Sequence, residues 1–445
     1  MADKLPDYLV RGEVARLFPV LATTSKEGRT TSIVLSCICL IHEFGRELLE
    51  SIGKRVGTRA TIQTFTEISF KGAIDGEQLR PDGLITLKVG SKSWSALVET
   101  KVGNNTLEAN QLTNYRDLAK KHNIDAVITI SNQFTSSPKN HPIQLSGSNR
   151  SKVDMFHWSW MHIRTTVELL LANNDVHDSD QLLLLEELKR FLTHESAGVK
   201  GFDQMPPQWA EIAAEISTGS VISPRSPKAM TVIDAWQQET RDLSLILSRQ
   251  TEVSVSEKIS RSHLNDPKLR IKDQIDTLCN QQLITASIEI PDAASPVEII
   301  ADIRGRTITA SMKLRAPEDR KSTTARLNWL LRQVKSATMN DIHIRLHWPG
   351  KNKPTMHSIE KLRVDSSVAS AEMEHLQVHS FDILVCKRTG RRFSGARTFI
   401  ADLEEIIPEF YKEVGQTLSA WKAKAPAIKS TLDHDEQKPP ELNRP

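Results

Sequence analysis

The sequence predicts an α/β protein: an N-terminal α/β domain, a helical linker and a C-terminal α+β domain. Three observations lead there. At 445 residues the chain exceeds one ordinary domain. Two β-rich runs, 80–87 and 95–101, flank a short turn and read as a hairpin. A stripe of apolar residues at helical spacing precedes them, and a second helical pattern and further short β-rich runs follow.

Taken in order, residues 1–30 read as a short helical lead-in, with Ser25-Lys26-Glu27-Gly28-Arg29 as a polar break. Over 31–52, Ile33, Val34, Cys37, Leu40, Ile41, Phe44 and Leu48 fall on one stripe of a single amphipathic helix. Residues 61–70 alternate as a strand through Ile62, Phe65 and Ile68, and the hairpin follows about its turn at 89–93. A helix is expected from about 107 to 122, then a short apolar strand at 125–131 of the kind buried inside a sheet. A polar loop (132–150) leads to a strand at 153–160 carrying Phe156, Trp158 and Trp160, which runs into a helix through Leu171. A leucine-rich helix at 181–192 closes the first domain.

Gly201 and the Pro206-Pro207 pair mark 198–207 as a turn or linker. Residues 208–265 read as helical, with Val232, Trp236, Leu243 and Leu247 near helical spacing, in a long helix packing between the lobes. Strands are expected at 283–290, 297–303, 306–314, 342–348 and 381–386, a helix at 323–335, and a closing helix at 398–421 bent at Pro408. The resulting domains are 1–200, 201–265 and 266–425, with a polar, Pro-rich tail over 426–445 expected to be disordered.

The chain is 39% hydrophobic and 25% charged, the balance of a globular protein rather than a low-complexity one. Its net charge of +3 points to no partner, but the distribution does. Residues 301–400 hold 19 Lys and Arg against 9 Asp and Glu, a local +10, leaving −7 for the rest. Arg304, Arg306, Lys313 and Arg315 form one basic group, and Lys387, Arg388, Arg391, Arg392 and Arg397 another, so this lobe is expected to bind nucleic-acid phosphates or sense a trigger. The four cysteines, Cys37, Cys39, Cys279 and Cys386, have no zinc-ligand spacing and read as buried free thiols. The chain opens Met1-Ala2-Asp3-Lys4 without an apolar signal region, and the run 33–44 is too short and too polar to span a bilayer. A cytoplasmic protein without a membrane partner is expected. The sequence leaves a homo-oligomer open.

The chemistry gathers at the hairpin. Side chains alternate along a strand, so Glu99 and Lys101 share a face, and Asp82 at the start of the neighbouring strand can come alongside. Two carboxylates suit Mg²⁺, which keeps several waters and binds through one or two acids, with Mn²⁺ as a substitute. A lysine beside them can orient water or meet developing negative charge on a phosphodiester. His141, His157 and His162, set beside core aromatics, read as structural.

Arg80-Pro81-Asp82 and Glu99-Thr100-Lys101, in that order on adjacent strands, resemble the two halves of the PD-(D/E)xK nuclease signature. Gln111-x-x-x-Tyr115 on the next helix resembles the Q-x-x-x-Y element of the RecB-like branch, its two side chains four apart on one helical face. The resemblance covers about residues 30–165 and implies a restriction-endonuclease-like αβββαβ core. It further implies a Mg²⁺-dependent nuclease, with DNA the expected substrate, in prokaryotic defence or repair, and with Asp82, Glu99, Lys101, Gln111 and Tyr115 at the centre. Family members often add a first-helix glutamate to the metal site; Glu47, nearest the apolar stripe, is the first choice and Glu43 the second. The C-terminal lobe would hold substrate through Arg388, Arg391 and Arg392. The alternative is a catalytically silent nucleic-acid-binding or regulatory protein on the same fold, against which the intact acid–acid–lysine set argues.

Overall fold

Strand periodicity two, with different faces buried in different parts of the chain, yields two separate sheets in a mixed α/β architecture. The structure, a computed structural model, describes residues 5–19, 25–70, 79–143, 145, 151–371, 373–423 and 425. The first sheet runs in order β1 (Leu9–Val14), β2 (Thr61–Phe70), β3 (Gly83–Val89), β4 (Lys92–Thr100), β5 (Ala126–Ser131), β6 (Asp154–Ser159). Its first four strands are antiparallel, and β5 and β6 join parallel to β4. Every residue of β5 is buried, as a parallel strand with both faces covered requires.

Helices α1 (Lys26–Leu40) and α2 (His42–Ser51) precede β2, and α3 (Ala109–Lys121) links β4 to β5. Helices α4 (Trp160–Ala172) and α5 (Ser179–Thr193) follow β6. Val34, Phe44, Val98, Ile128, Ile130, Trp158 and Leu185 form a core on one face of the sheet. Leu84, Leu97, Tyr115, Ala119 and Val127 form a smaller one on the other, beneath α3. Asp82 lies just before β3, level with Glu99 and Thr100 at the end of β4.

The second unit begins with α6 (Gln208–Ser217) and α7 (Pro227–Thr251). Next come β7 (Ser256–Glu257), α8 (Arg261–Asn265), α9 (Pro267–Gln281), β8 (Leu283–Glu289), β9 (Val297–Asp302), β10 (Thr307–Arg315) and α10 (Thr323–Gln333). It closes with β11 (Ile342–His347), β12 (Thr355–Ser358), α11 (Ile359–Val364), α12 (Val368–Ala371), β13 (Ser380–Arg388) and α13 (Ala396–Glu413). The strands form one antiparallel sheet in order β12-β11-β13-β10-β9-β8-β7. Ile308, Ala310, Met312 and Leu314 of β10 point into its core, while Thr307, Thr309, Ser311 and Lys313 face outward.

Several expectations change. The lead-in to residue 30 contains a strand, β1, paired with β2, rather than a helix, and the expected polar break is the first turn of α1. Buried Thr30, Thr31 and Ser32 interrupt the apolar stripe there, so the helix starts before its hydrophobic signal does. The single helix over 31–52 is two, broken at Ile41 in extended conformation. The second helix closes tightly on the first: a Cβ at Gly45 would stand 2.2 Å from the Ile38 carbonyl oxygen. Trp160 begins α4 instead of ending β6. The stretch 201–265, expected to be a helical linker, contributes Met205, Trp209, Ile212, Val232, Trp236 and Leu247 to the second core. Pro408 lies inside α13, which stops at Glu413 rather than 421. Cys37 is buried, but Cys386 is exposed at the end of β13. The tail over 426–445 lies outside the described residues. Among the described residues no helix is long and apolar enough to cross a membrane.

Candidate functional site

The β3–β4 register pairs Gly83 with Val98, which sets Asp82 level with Glu99 and Thr100. Glycine is required after Asp82, because a Cβ at Gly83 would stand 2.5 Å from Leu35 Cδ1 and 2.9 Å from the Phe65 carbonyl oxygen. Thr100 holds the aspartate twice: its backbone N–H and its hydroxyl donate to Asp82 Oδ2 at 2.7 and 2.8 Å. The Thr31 hydroxyl on α1 lies 2.6 Å from that of Thr100.

Lys101 Nζ donates to Glu99 Oε1 at 2.5 Å and to Glu27 Oε1 at 3.4 Å. Glu27 stands in the first turn of α1, and its other oxygen accepts from Asn105 Nδ2 at 3.2 Å. The Lys101 carbonyl accepts from Trp160 Nε1 at 2.8 Å, which fixes the backbone just past β4. Gln111 Nε2 donates to the Tyr115 hydroxyl, which donates to the Arg80 carbonyl, each at 3.1 Å. Asp82, Glu99, Lys101, Gln111 and Tyr115 thus come together, and Glu27, which the sequence reading passed over, joins them.

Burial sets the electrostatics. Desolvation raises the pKa of Asp82 against the two Thr100 hydrogen bonds, which lower it. Glu99 is pushed up to about 7, first by burial and then by the charge of Asp82, with Lys101 opposing both. Burial lowers the Lys101 ammonium, but Glu99, Glu27 and Asp82 outweigh it and hold it charged. Burial and the adjacent Glu99 raise the Tyr115 phenol, so it remains a donor. The site carries two carboxylates whose ionisation resists, beside one firmly charged lysine.

Glu99 leaves a buried oxygen, Oε2, without a hydrogen-bond partner, and Asp82 Oδ1 accepts none among the described residues. Orphaned carboxylate oxygens of this kind suit a hard cation. Among the described residues no group of three His, Cys, Asp or Glu side chains could hold a metal ion; Asp82 and Glu99 are the two acids of this cluster that each keep an oxygen without a hydrogen bond.

Glu47 does not join this cluster; it is 46% exposed on α2 and pairs with Arg46 at 3.5 Å. Glu43 is half-buried in the first turn of α2. Both lie beyond the break at Ile41, and Glu27 at the start of α1 is the helix acid that reaches Lys101. The three histidines are core groups: burial lowers His141 to about 4, and His157 and His162 to about 3. His157 Nε2 must donate to the Gln133 carbonyl, so its Nδ1 accepts from the Thr129 hydroxyl at 2.8 Å. Of the basic residues, Arg388 and Arg391 are exposed, whereas Arg392 is committed to Asp402 through Nε and Nη2.

Comparison with protein-family models, curated proteins and solved structures gives no match to this chain.

Proposed function

We propose that the protein is a Mg²⁺-dependent nuclease that hydrolyses DNA phosphodiesters, on a restriction-endonuclease-like core of the PD-(D/E)xK type. The observation that carries this reading is the convergence of Asp82, Glu99 and Lys101 at adjoining strand ends, with an orphaned buried oxygen on Glu99. The element order over 26–131, two helices, three strands, a helix and a strand, supports it, as does the Gln111–Tyr115 pair against the backbone of Arg80.

Asp82 and Glu99 would hold the metal, which when bound supplies charge neutralisation at the phosphate and an acidified water. Thr100 fixes Asp82 through Oδ2 and would leave Oδ1 for the metal. Lys101, kept charged by three acids, presents a cation to the developing negative charge. Tyr115 and Gln111 brace the backbone at Arg80, one residue before Pro81-Asp82.

The test is incubation of the full chain with plasmid, linear duplex, single-stranded DNA and RNA, each with Mg²⁺, Mn²⁺ or EDTA. Metal-dependent cleavage that disappears in Asp82→Ala and Glu99→Ala is expected. Cleavage that survives both substitutions places the chemistry elsewhere.

A further inference from the structure

The two lobes are joined by a short segment that is hydrogen-bonded to the backbone and side chains beside the Asp82–Glu99–Lys101 cluster at one end and to the basic lobe at the other. At the first end, the Ala197 carbonyl accepts from the Thr30 hydroxyl at 3.2 Å, next to Thr31. The Gly103 N–H donates to the Gly198 carbonyl at 2.9 Å, two residues past Lys101. Asn132 Nδ2 donates to both carbonyls, Gly103 and Gly198, at 3.0 Å, and its Oδ1 accepts from the Lys200 N–H. Lys200 Nζ donates to Asn104 Oδ1 at 2.8 Å, and the adjoining Asn105 holds Glu27. Gly198 has φ +71° and approaches so closely that a Cβ would stand 3.0 Å from Val102 Cβ and 3.1 Å from Gly103 N.

At the other end, the Phe202 N–H donates to Asp242 Oδ2 on α7 at 2.6 Å. Gln204 Oε1 accepts from Arg397 Nε at 3.2 Å, and the Met205 N–H donates to the Ala396 carbonyl at 3.1 Å. Ala396 and Arg397 open α13 directly after the exposed Arg391 turn. The middle of the joint is poorly satisfied. Glu239 is fully buried with neither carboxylate oxygen hydrogen-bonded, and Asp242 Oδ1 is likewise buried and unpaired. Buried carboxyl oxygens without partners cost this joint stability.

We infer that the segment 198–205 is an autoinhibitory strap, released when nucleic-acid phosphates engage Arg391 and Arg397. In the strapped state the 102–105 loop keeps Asn105 on Glu27, and Lys101 stays clamped between Glu27 and Glu99 Oε1, leaving Glu99 only Oε2 for a metal. A phosphate drawing Arg397 away from Gln204 loosens the strap, and the loop and Glu27 relax with it. This rests on the nucleic-acid reading above.

Hydrogen exchange of the Gly103 amide in the full chain, in EDTA with and without a linear DNA duplex, tests the release apart from cleavage. Bound DNA is expected to speed Gly103 exchange by about fivefold or more, the sign opposite to direct shielding by DNA. Lys200→Ala should speed exchange without DNA, and Arg391→Glu/Arg397→Glu should abolish the DNA effect. Unchanged or slowed exchange with DNA bound, acceleration that persists in the arginine variant, or no DNA binding at all overturns the inference. Accelerated exchange in a protein that cleaves nothing with any metal keeps the strap and removes the nuclease reading instead.

Discussion

The hydroxyls of Thr31 and Thr100 lie 2.6 Å apart and tie the first helix to the end of β4. Each carries one proton. That of Thr100 goes to Asp82 Oδ2, and that of Thr31 is divided between Thr100 Oγ1 and the Glu27 carbonyl, 2.8 Å away. Two threonines that register as ordinary strand and helix residues thus stabilise the ionised form of a buried acid.

Thr100→Val follows from this. The backbone donor to Asp82 remains and the hydroxyl is lost, a hydrogen bond to a charged group whose removal costs about 1.5–3 kcal/mol. The Asp82 pKa should rise further, so the acid limb of the pH–rate profile moves to higher pH. Thr31→Val, one step removed, should give a smaller shift in the same direction. A profile identical to that of the unsubstituted protein in both variants would separate the threonine pair from the chemistry.

Glu99 gives a prediction in pH. Its carboxyl is raised from 4.5 to about 7, so the folded protein binds that proton more tightly than the unfolded chain does. Below about 4.5 the group is neutral in both states and costs nothing; as pH rises toward 7 stability falls, and above 7 the full cost is present. Without metal, Glu99→Gln should therefore raise Tm at pH 8 more than at pH 4. Cleavage by the unsubstituted protein at limiting Mg²⁺ should rise with pH up to about 7 as Glu99 ionises. Equal Tm gains at both pH values would mean that the carboxylate is not under strain.

Much of this site was legible in the sequence, and the reason is geometric. Strand alternation alone places Glu99 and Lys101 on one face, and the hairpin turn at Gly90 fixes the register that brings Asp82 alongside. Glu27 was not legible, because buried Thr30, Thr31 and Ser32 hide the start of α1 from any apolar periodicity. The choice of Glu47 depended on one continuous helix, and the break at Ile41 removes that premise. The second lobe's strands were readable from alternation, but β12, four residues long with Met356 exposed, carries too short a pattern to find.

The basic lobe predicts a difference among neighbouring arginines. Arg388 and Arg391 are exposed, while Arg392 holds the buried carboxylate of Asp402. Reversing Arg388 and Arg391 together should flatten the salt dependence of DNA affinity by about two counterion units, one per lost phosphate contact. Arg392→Ala should lower Tm instead, since Asp402, 8% exposed, loses its partner. An unchanged salt slope in the double reversal would take this face out of the binding surface.

Lys101 separates metal holding from charge stabilisation. It donates to Glu99 and Glu27, and a cation cannot itself ligate a metal. Lys101→Met keeps most of the stem and its packing while deleting the charge. With the lysine gone, Glu99 and Glu27 lose their counter-ion and gain reason to take up Mg²⁺, so metal affinity should hold or rise. Turnover should still fall by about two to three powers of ten, the cost of one preorganised donor. Asp82→Asn should lose both, because its neutral amide is a poorer ligand and Thr100 can no longer favour an ionised form. Calorimetric Mg²⁺ titration of both variants, read beside their cleavage rates on one substrate, distinguishes the two roles. Normal cleavage by Lys101→Met would leave the lysine as a neutraliser of Glu99 and nothing more.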